Sequence, residues 1–270
     1  MDQLHKIQTA LFPILSYRKM GQGPVLVLIH GFPSDSSLWA NVCPSLAEKF
    51  TVIMPDLPGV GGSTYAGELL TIEQMAESVK LILDAEKIDK AVMAGHSMGG
   101  YTAIAFAELY PQMLKGLSFI HSVASGDNEE KKETRRKSIK LLEKEGGKEA
   151  FVKEMIPKLF AKRFKEEHPE VLQQQVDNGM KVSAAAMISF YNTMIMRPDR
   201  TEVLKQVNFP AQFIVGKEDN VVPVAASLQQ STLAGVNFVS VYPETAHMAM
   251  LENPDGLIKD LADFTGYCYK

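Results

Sequence analysis

Ser97 stands in the run Gly95-His96-Ser97-Met98-Gly99, a serine flanked at two positions' distance by glycines. A hydroxyl is a weak nucleophile until a base takes its proton, and a histidine base needs a carboxylate to fix its tautomer. His247, in Ala246-His247-Met248, and Asp219, in Gly216-Lys217-Glu218-Asp219, offer those groups later in the chain. Together they would perform acyl transfer. Ser97 would attack a carbonyl carbon, His247 would accept and return the proton, and Asp219 would stabilise the imidazolium. Glu218 and Asp56 compete for the role of the acid. Asp56 precedes Ser97 in the chain and leads into Gly59-Val60-Gly61-Gly62, so it is read as organising that glycine loop.

The elements around these residues can be read from periodicity. The apolar run from Ala91 enters the serine motif and a helix-compatible segment, Tyr101 to Tyr110, leaves it. Strand, sharp turn and helix in that order make a nucleophile elbow with Ser97 at its tip. Side chains at positions 95 and 99 would collide with the adjoining strand and helix, which glycine avoids. Further apolar runs, Val25–Ile29, Phe50–Met54, Gly116–Val123, Ala211–Val215 and Phe238–Tyr242, have the character of strands buried on both faces. Between them lie helical segments at Ser37–Lys49, Thr71–Ala85, Val224–Leu233 and Pro254–Phe264, and Thr71 with Gln74 can form a capping box. Two short edge strands are expected around Pro13, between Ile7 and Lys19.

This alternation predicts an α/β protein with a mostly parallel, doubly wound sheet. Ligands of such sheets bind beyond the carboxyl ends of the strands, where Ser97, Asp219, His247 and the stretch His30-Gly31-Phe32-Pro33 all fall. Pro33 has no N–H, so the Phe32 N–H, together with that of Met98, is expected to form a two-donor oxyanion hole. His30 and His96 read as buried, hydrogen-bonded supports, whereas His5, His121 and His168 show no partners that suggest chemistry.

From Ser125 to Arg200 the composition turns to dense mixed charge at helical periodicity, with no strand-like run. The expected organisation is therefore a core of residues 1–124 and 201–270 with a helical cap of residues 125–200. Met180, Met187 and Met194 recur every seven residues, which on one helix would put them on nearly one face. Met187, Phe190, Tyr191 and Met194 are expected to line a substrate pocket under the cap, with plain core packing as the alternative.

With 270 residues, 46% hydrophobic content and a formal net charge of -4, the chain can bury a large core and offers no basic face for nucleic acid. The start Met1-Asp-Gln-Leu-His-Lys lacks the pattern of a signal peptide, and the longest apolar candidate, Ala184–Met196, is interrupted by Ser189, Asn192 and Thr193. No membrane span is expected. The two cysteines, Cys43 and Cys268, have no metal-ligand spacing, so a cytoplasmic protein without a bound metal is expected, its oligomeric state left open.

Four signatures, HGFP, DLPGVGGS, GHSMGG and GKEDNVVP followed by AHMAMLENP, stand in an order that resembles the α/β-hydrolase superfamily, in its serine-nucleophile, esterase- and lipase-like branch. The resemblance covers essentially the whole chain apart from the detail of the cap. It implies the chain order Ser97, Asp219, His247 for the triad and a cofactor-free serine hydrolase that cleaves a carboxylic ester or related acyl bond of a small molecule. The same frame carries thioesterases, enol-lactonases, C–C bond hydrolases and cofactor-free perhydrolases, which stay open as alternatives. Dehalogenases and epoxide hydrolases of this fold use aspartate where this chain has Ser97, and are disfavoured. The segment MIMRPDRTEVL, from Met194, is similar to that of small esterases and enol-lactonases. A ligand receptor on a hydrolase frame is the alternative from another class.

Overall fold

Aliphatic and β-branched runs form the middle of the sheet because a strand there must fill both faces with side chains while neighbouring strands take its backbone groups. The structure, a computed structural model, describes residues 3–64 and 69–270. In chain order, β1 (Gln3–Ile7), β2 (Leu15–Met20) and β3 (Val25–Ile29) are followed by α1 (Cys43–Ala47), β4 (Thr51–Pro55) and α2 (Ile72–Ala85). Then come β5 (Ala91–His96), α3 (Met98–Leu109) and β6 (Leu114–Ile120). The sheet has eight strands in the order β1-β2-β4-β3-β5-β6 and then two further strands, β7 (Ala211–Gly216) and β8 (Asn237–Tyr242). Pairing is antiparallel for β1 with β2 and for β2 with β4, and parallel from β4 onward.

Strand β5 is buried throughout, as a central parallel strand must be. Helix α3 packs on β5 and β6 beside α2, and α2 starts with the expected capping box, in which the Thr71 side chain accepts from Gln74 N–H and the Gln74 side chain accepts from Thr71 N–H. At the far edge β8 alternates partly buried with exposed positions, including Val239 and Val241.

Some boundaries differ from the sequence reading. The first edge strand begins at Gln3, and Pro13 lies in the connection, consistent with a residue that cannot donate to a ladder. The single helix expected over Ser37–Lys49 is a 3-10 turn, Ser36–Trp39, and then α1, which restarts with Pro44 in its first turn.

Between β6 and β7 runs a helical excursion. It comprises α4 (Glu129–Leu142), α5 (Gly147–Met155), α6 (Lys162–Glu167), α7 (Pro169–Lys181), α8 (Ala184–Met196) and α9 (Thr201–Gln206). These helices pack largely on one another, α4 against α5 and α8, and α7 against α5 and α6. At the end of the excursion Arg200, almost fully buried, pairs with Glu73 on α2 and with Glu108 on α3 at 2.8 Å. The methionine stripe is split, with Met180 on α7 and Met187 and Met194 on α8. The break falls at Ser183, whose hydroxyl caps α8 by accepting from Ala186 N–H at 3.1 Å. The chain closes with α10 (Val224–Gln230), α11 (Ala249–Glu252) and α12 (Pro254–Cys268), and α12 packs against β6 and α1.

Candidate active site

Ser97 sits between the end of β5 and the start of α3 with φ at 50°, a left-handed conformation that side-chain-bearing residues rarely adopt. Neighbouring backbone holds it there. Its N–H donates to Ile120 O at 3.0 Å, and the Ser122 hydroxyl donates to its carbonyl at 2.7 Å. A Cβ on Gly95 would run into Gly99 O, and one on Gly99 would meet the carbonyls of Ile29 and His30, so both close approaches require glycine.

His247 follows β8 in an irregular loop and is buried. Its Nδ1 lies 2.8 Å from Asp219 Oδ2, so the Nδ1–H tautomer donates to the carboxylate and Nε2 keeps its lone pair. Asp219 is fixed from its other side, where Oδ1 accepts from Val221 N–H at 2.7 Å and Val222 N–H at 2.9 Å. Burial alone would raise the Asp219 pKa, but the charge and hydrogen bond of His247, with His121 close by, hold it well below the usual carboxylate range. Glu218 is exposed, its N–H donates to the Thr245 carbonyl at 3.0 Å, and no hydrogen bond or ion pair joins its side chain to His247 among the described residues. Asp56 binds its own loop, accepting from Ser16 Oγ–H, Ser36 N–H and Gly62 N–H.

The His247 loop is pinned by the helical excursion. Its backbone N–H donates to Leu159 O at 2.9 Å, and Glu252 accepts from Ala161, Ala246 and Met248 N–H. From the other side, His96 Nε2–H donates to the His247 carbonyl at 2.8 Å. His30 donates from Nδ1 to Gly31 O and accepts Leu57 N–H at Nε2.

His121, which the sequence reading left without a partner, lies fully buried with Nδ1 3.3 Å from the same Asp219 Oδ2, outside hydrogen-bond geometry but close enough to feel its charge. A signal for it existed, because it directly follows β6 at the carboxyl end of the sheet. Burial lowers its pKa against the pull of Asp219, so the ring is neutral at neutral pH. Ligand atoms of His121, Asp219 and His247 lie within 4.8 Å of one another and are the group among the described residues that a metal ion could bridge.

Ser97 and His247 face one cavity of about 880 Å³, within the size range of small-molecule pockets. Phe32, Tyr191 and Met194 line it too. Met187 and Phe190 do not. They are buried to 0% and 1% exposure, and the Phe190 ring meets Phe32 edge-on at 6.1 Å. Neither the Phe32 nor the Met98 N–H has a hydrogen-bond partner among the described residues, and Met98 begins α3, where helix N–H groups have no intrahelical acceptor. The walls also carry Asp127, Lys131, Arg135 and Arg197, a charged group for which no sequence motif gave warning.

The chain belongs to the alpha/beta hydrolase fold family, whose sequence profile matches residues 24–254. It is similar to a thermophilic esterase from Thermogutta terrifontis, with a TM-score of 0.92, 30% identity and coverage of 99% of this chain and 100% of that one. The fold is shared with an enol-lactonase from Burkholderia xenovorans LB400, with a TM-score of 0.88 and 23% identity over 96% and 99% of the two chains. In sequence it is 29% identical, over 90% of its length, to the dihydrolipoyllysine-residue acetyltransferase component of the acetoin cleaving system of Pseudomonas putida, and it spans 63% of that relative.

Proposed function

We propose that the chain is a serine hydrolase that cleaves carboxylic esters through Ser97, His247 and Asp219. The observation that carries this reading is the 2.8 Å pair of His247 Nδ1 and Asp219 Oδ2, with His247 in the wall of the same cavity as Ser97. His247 Nε2 takes the Ser97 proton as Oγ bonds to the ester carbonyl carbon, and the negative charge moves to the carbonyl oxygen, facing the N–H groups of Phe32 and Met98. Collapse of this intermediate breaks the bond to the alcohol oxygen, which leaves with the proton from His247. Water then repeats the sequence on the acyl-enzyme, its proton passing through His247 back to Ser97 and the acid departing. Ester and water are the only reactants consumed. In the same reading residues 125–200 form the cap and residues 1–124 and 201–270 the core.

The test is covalent labelling by a small organophosphonate together with turnover of short and medium p-nitrophenyl esters. Wild type is expected to label and turn over, and Ser97→Ala to do neither while keeping its circular dichroism spectrum. Labelling of Ser97→Ala at the wild-type rate would remove Ser97 as the nucleophile. A chain that binds esters without turnover or labelling would be a receptor.

A further inference from the structure

Asp127, at the foot of α4, is a single buried carboxylate facing more positive charge than it can neutralise. Arg135 Nε approaches it at 2.6 Å, Arg197 Nη2 at 3.0 Å and Lys131 Nζ at 4.0 Å. Burial would raise the Asp127 pKa, but hydrogen bonds from Arg135 and Arg197 bring it down to about 2, so it is ionised and the cluster keeps an excess of two positive charges. The other carboxylate in this cavity wall, Glu130, is exposed. This excess stands on a chain whose formal net charge is -4.

A purely structural tie between α4 and α8 does not need all three cations. Arg197 makes that tie alone, through Asp127, the Met194 carbonyl at 2.8 Å and the Ser125 carbonyl at 3.0 Å. Lys131 is also engaged, with the Val221 carbonyl at 3.1 Å. Arg135 differs. Its Nε is taken by Asp127, its guanidinium lies 5.5 Å from the Tyr191 ring centre, and its two terminal nitrogens have no hydrogen-bond partner among the described residues. The side chain is only 12% exposed and forms part of the wall of the cavity that holds Ser97. Those two terminal nitrogens carry four N–H donors without a protein acceptor among the described residues, on a mostly buried side chain, and a carboxylate bound in the cavity fits their two-pronged geometry. The Tyr101 phenol responds to the same field. Burial would raise its pKa, yet Arg197, Lys131 and Arg135 together lower it, and the Arg197 guanidinium lies 3.7 Å from its ring centre.

We propose that Arg135 binds a free carboxylate on the substrate, which makes the preferred substrates anionic esters. This rests on the serine-hydrolase reading for the reaction but not for the binding. The turnover test compares the methyl half-esters of succinate, glutarate and adipate with their dimethyl esters, and acetoxyacetate with its methyl ester, so that carboxylates on the acyl and alcohol sides are probed separately. In at least one series kcat/KM is expected to favour the anion at least tenfold. That ratio is expected to fall at least tenfold in Arg135→Gln, to recover in part in Arg135→Lys, and to shrink as salt is raised. Asp127 keeps Arg197 and Lys131 in these variants, so the fold is expected to survive, with thermal unfolding as the check. Ratios near one, or a ratio unchanged in Arg135→Gln, would overturn the proposal and leave the hydrolase reading standing. If no ester turns over and Ser97 does not label, the hydrolase reading fails alone, because calorimetry still decides the carboxylate site. The same anionic esters are expected to bind Ser97→Ala and to lose at least tenfold in affinity when Arg135→Gln is added. Equal affinity for the neutral diesters, or no binding of any anion, would overturn the site.

Discussion

Asp219 and its rivals differ in what their oxygens touch. Asp219 uses one oxygen for two backbone donors and the other for His247, so it can hold one imidazole tautomer without moving. Asn at this position would fit the space but would present an amide in place of an acceptor to Nδ1, favouring the wrong tautomer. Asp219→Asn is therefore expected to lower kcat by about four orders of magnitude, as measured on a p-nitrophenyl ester. Glu218→Gln, at an exposed position, is expected to stay near wild type. The reverse result would move the acid to Glu218. His96 ties down the His247 backbone, since its ring donates to the His247 carbonyl, and a Cβ on Gly31 would strike that ring.

At the scale of elements, α8 presents one residue to the cavity and another to the core within two turns. Met194 lines the cavity and Met187 is fully buried away from it. Met194→Trp is expected to shift the ester chain-length profile toward shorter acyl groups while phosphonate labelling persists. Met187→Trp should leave that profile alone and instead destabilise the protein by about 1–3 kcal/mol, the usual effect of overfilling a packed site. A changed profile in Met187→Trp with unchanged thermal stability would show that the division of α8 between core and cavity is wrong. The same helix illustrates why a repeat of seven misled the sequence reading. Periodicity assumes an unbroken helix, and the cap at Ser183 removes Met180 from it, whereas Met187 and Met194 share α8 and differ only in what packs against each.

Across the whole molecule, three buried histidines make folding sensitive to mild acid. Burial lowers the pKa of His30, His121 and, more strongly, His96, against whatever opposing pull their neighbours exert. In the unfolded chain each titrates near 6.5. Above that pH neither state is protonated and the full stability is present. As pH falls from about 6.5 toward the lowered native values, only the unfolded chain gains protons and stability declines. Urea unfolding between pH 7.5 and 5.5 is expected to show this loss, with a slope approaching about 1.4 kcal/mol per pH unit for each histidine protonated only on unfolding. A flat profile over that range would mean that these rings titrate alike in both states.

The alternation of buried strands with helices and the strand-turn-helix at Ser97 were legible in the chain because each is local. A strand buried on both faces, a capping box and a glycine forced by close approach leave their marks within a few residues. The pairing of Asp219 with His247 was foreseen from position, whereas the place of His121 beside the same carboxylate needed the register that sets β6 against β7. The charged group of Asp127, Arg135 and Arg197 left no mark at all. In the sequence these are ordinary charges in a charge-rich segment, and only the packing of α4 against α8 turns them inward together. Sequence patterns record which residues must be buried within one element. Which buried groups from different elements share a wall is decided by tertiary packing, and that packing separates Met194 from Met187 and brings Arg135 to the cavity that holds Ser97.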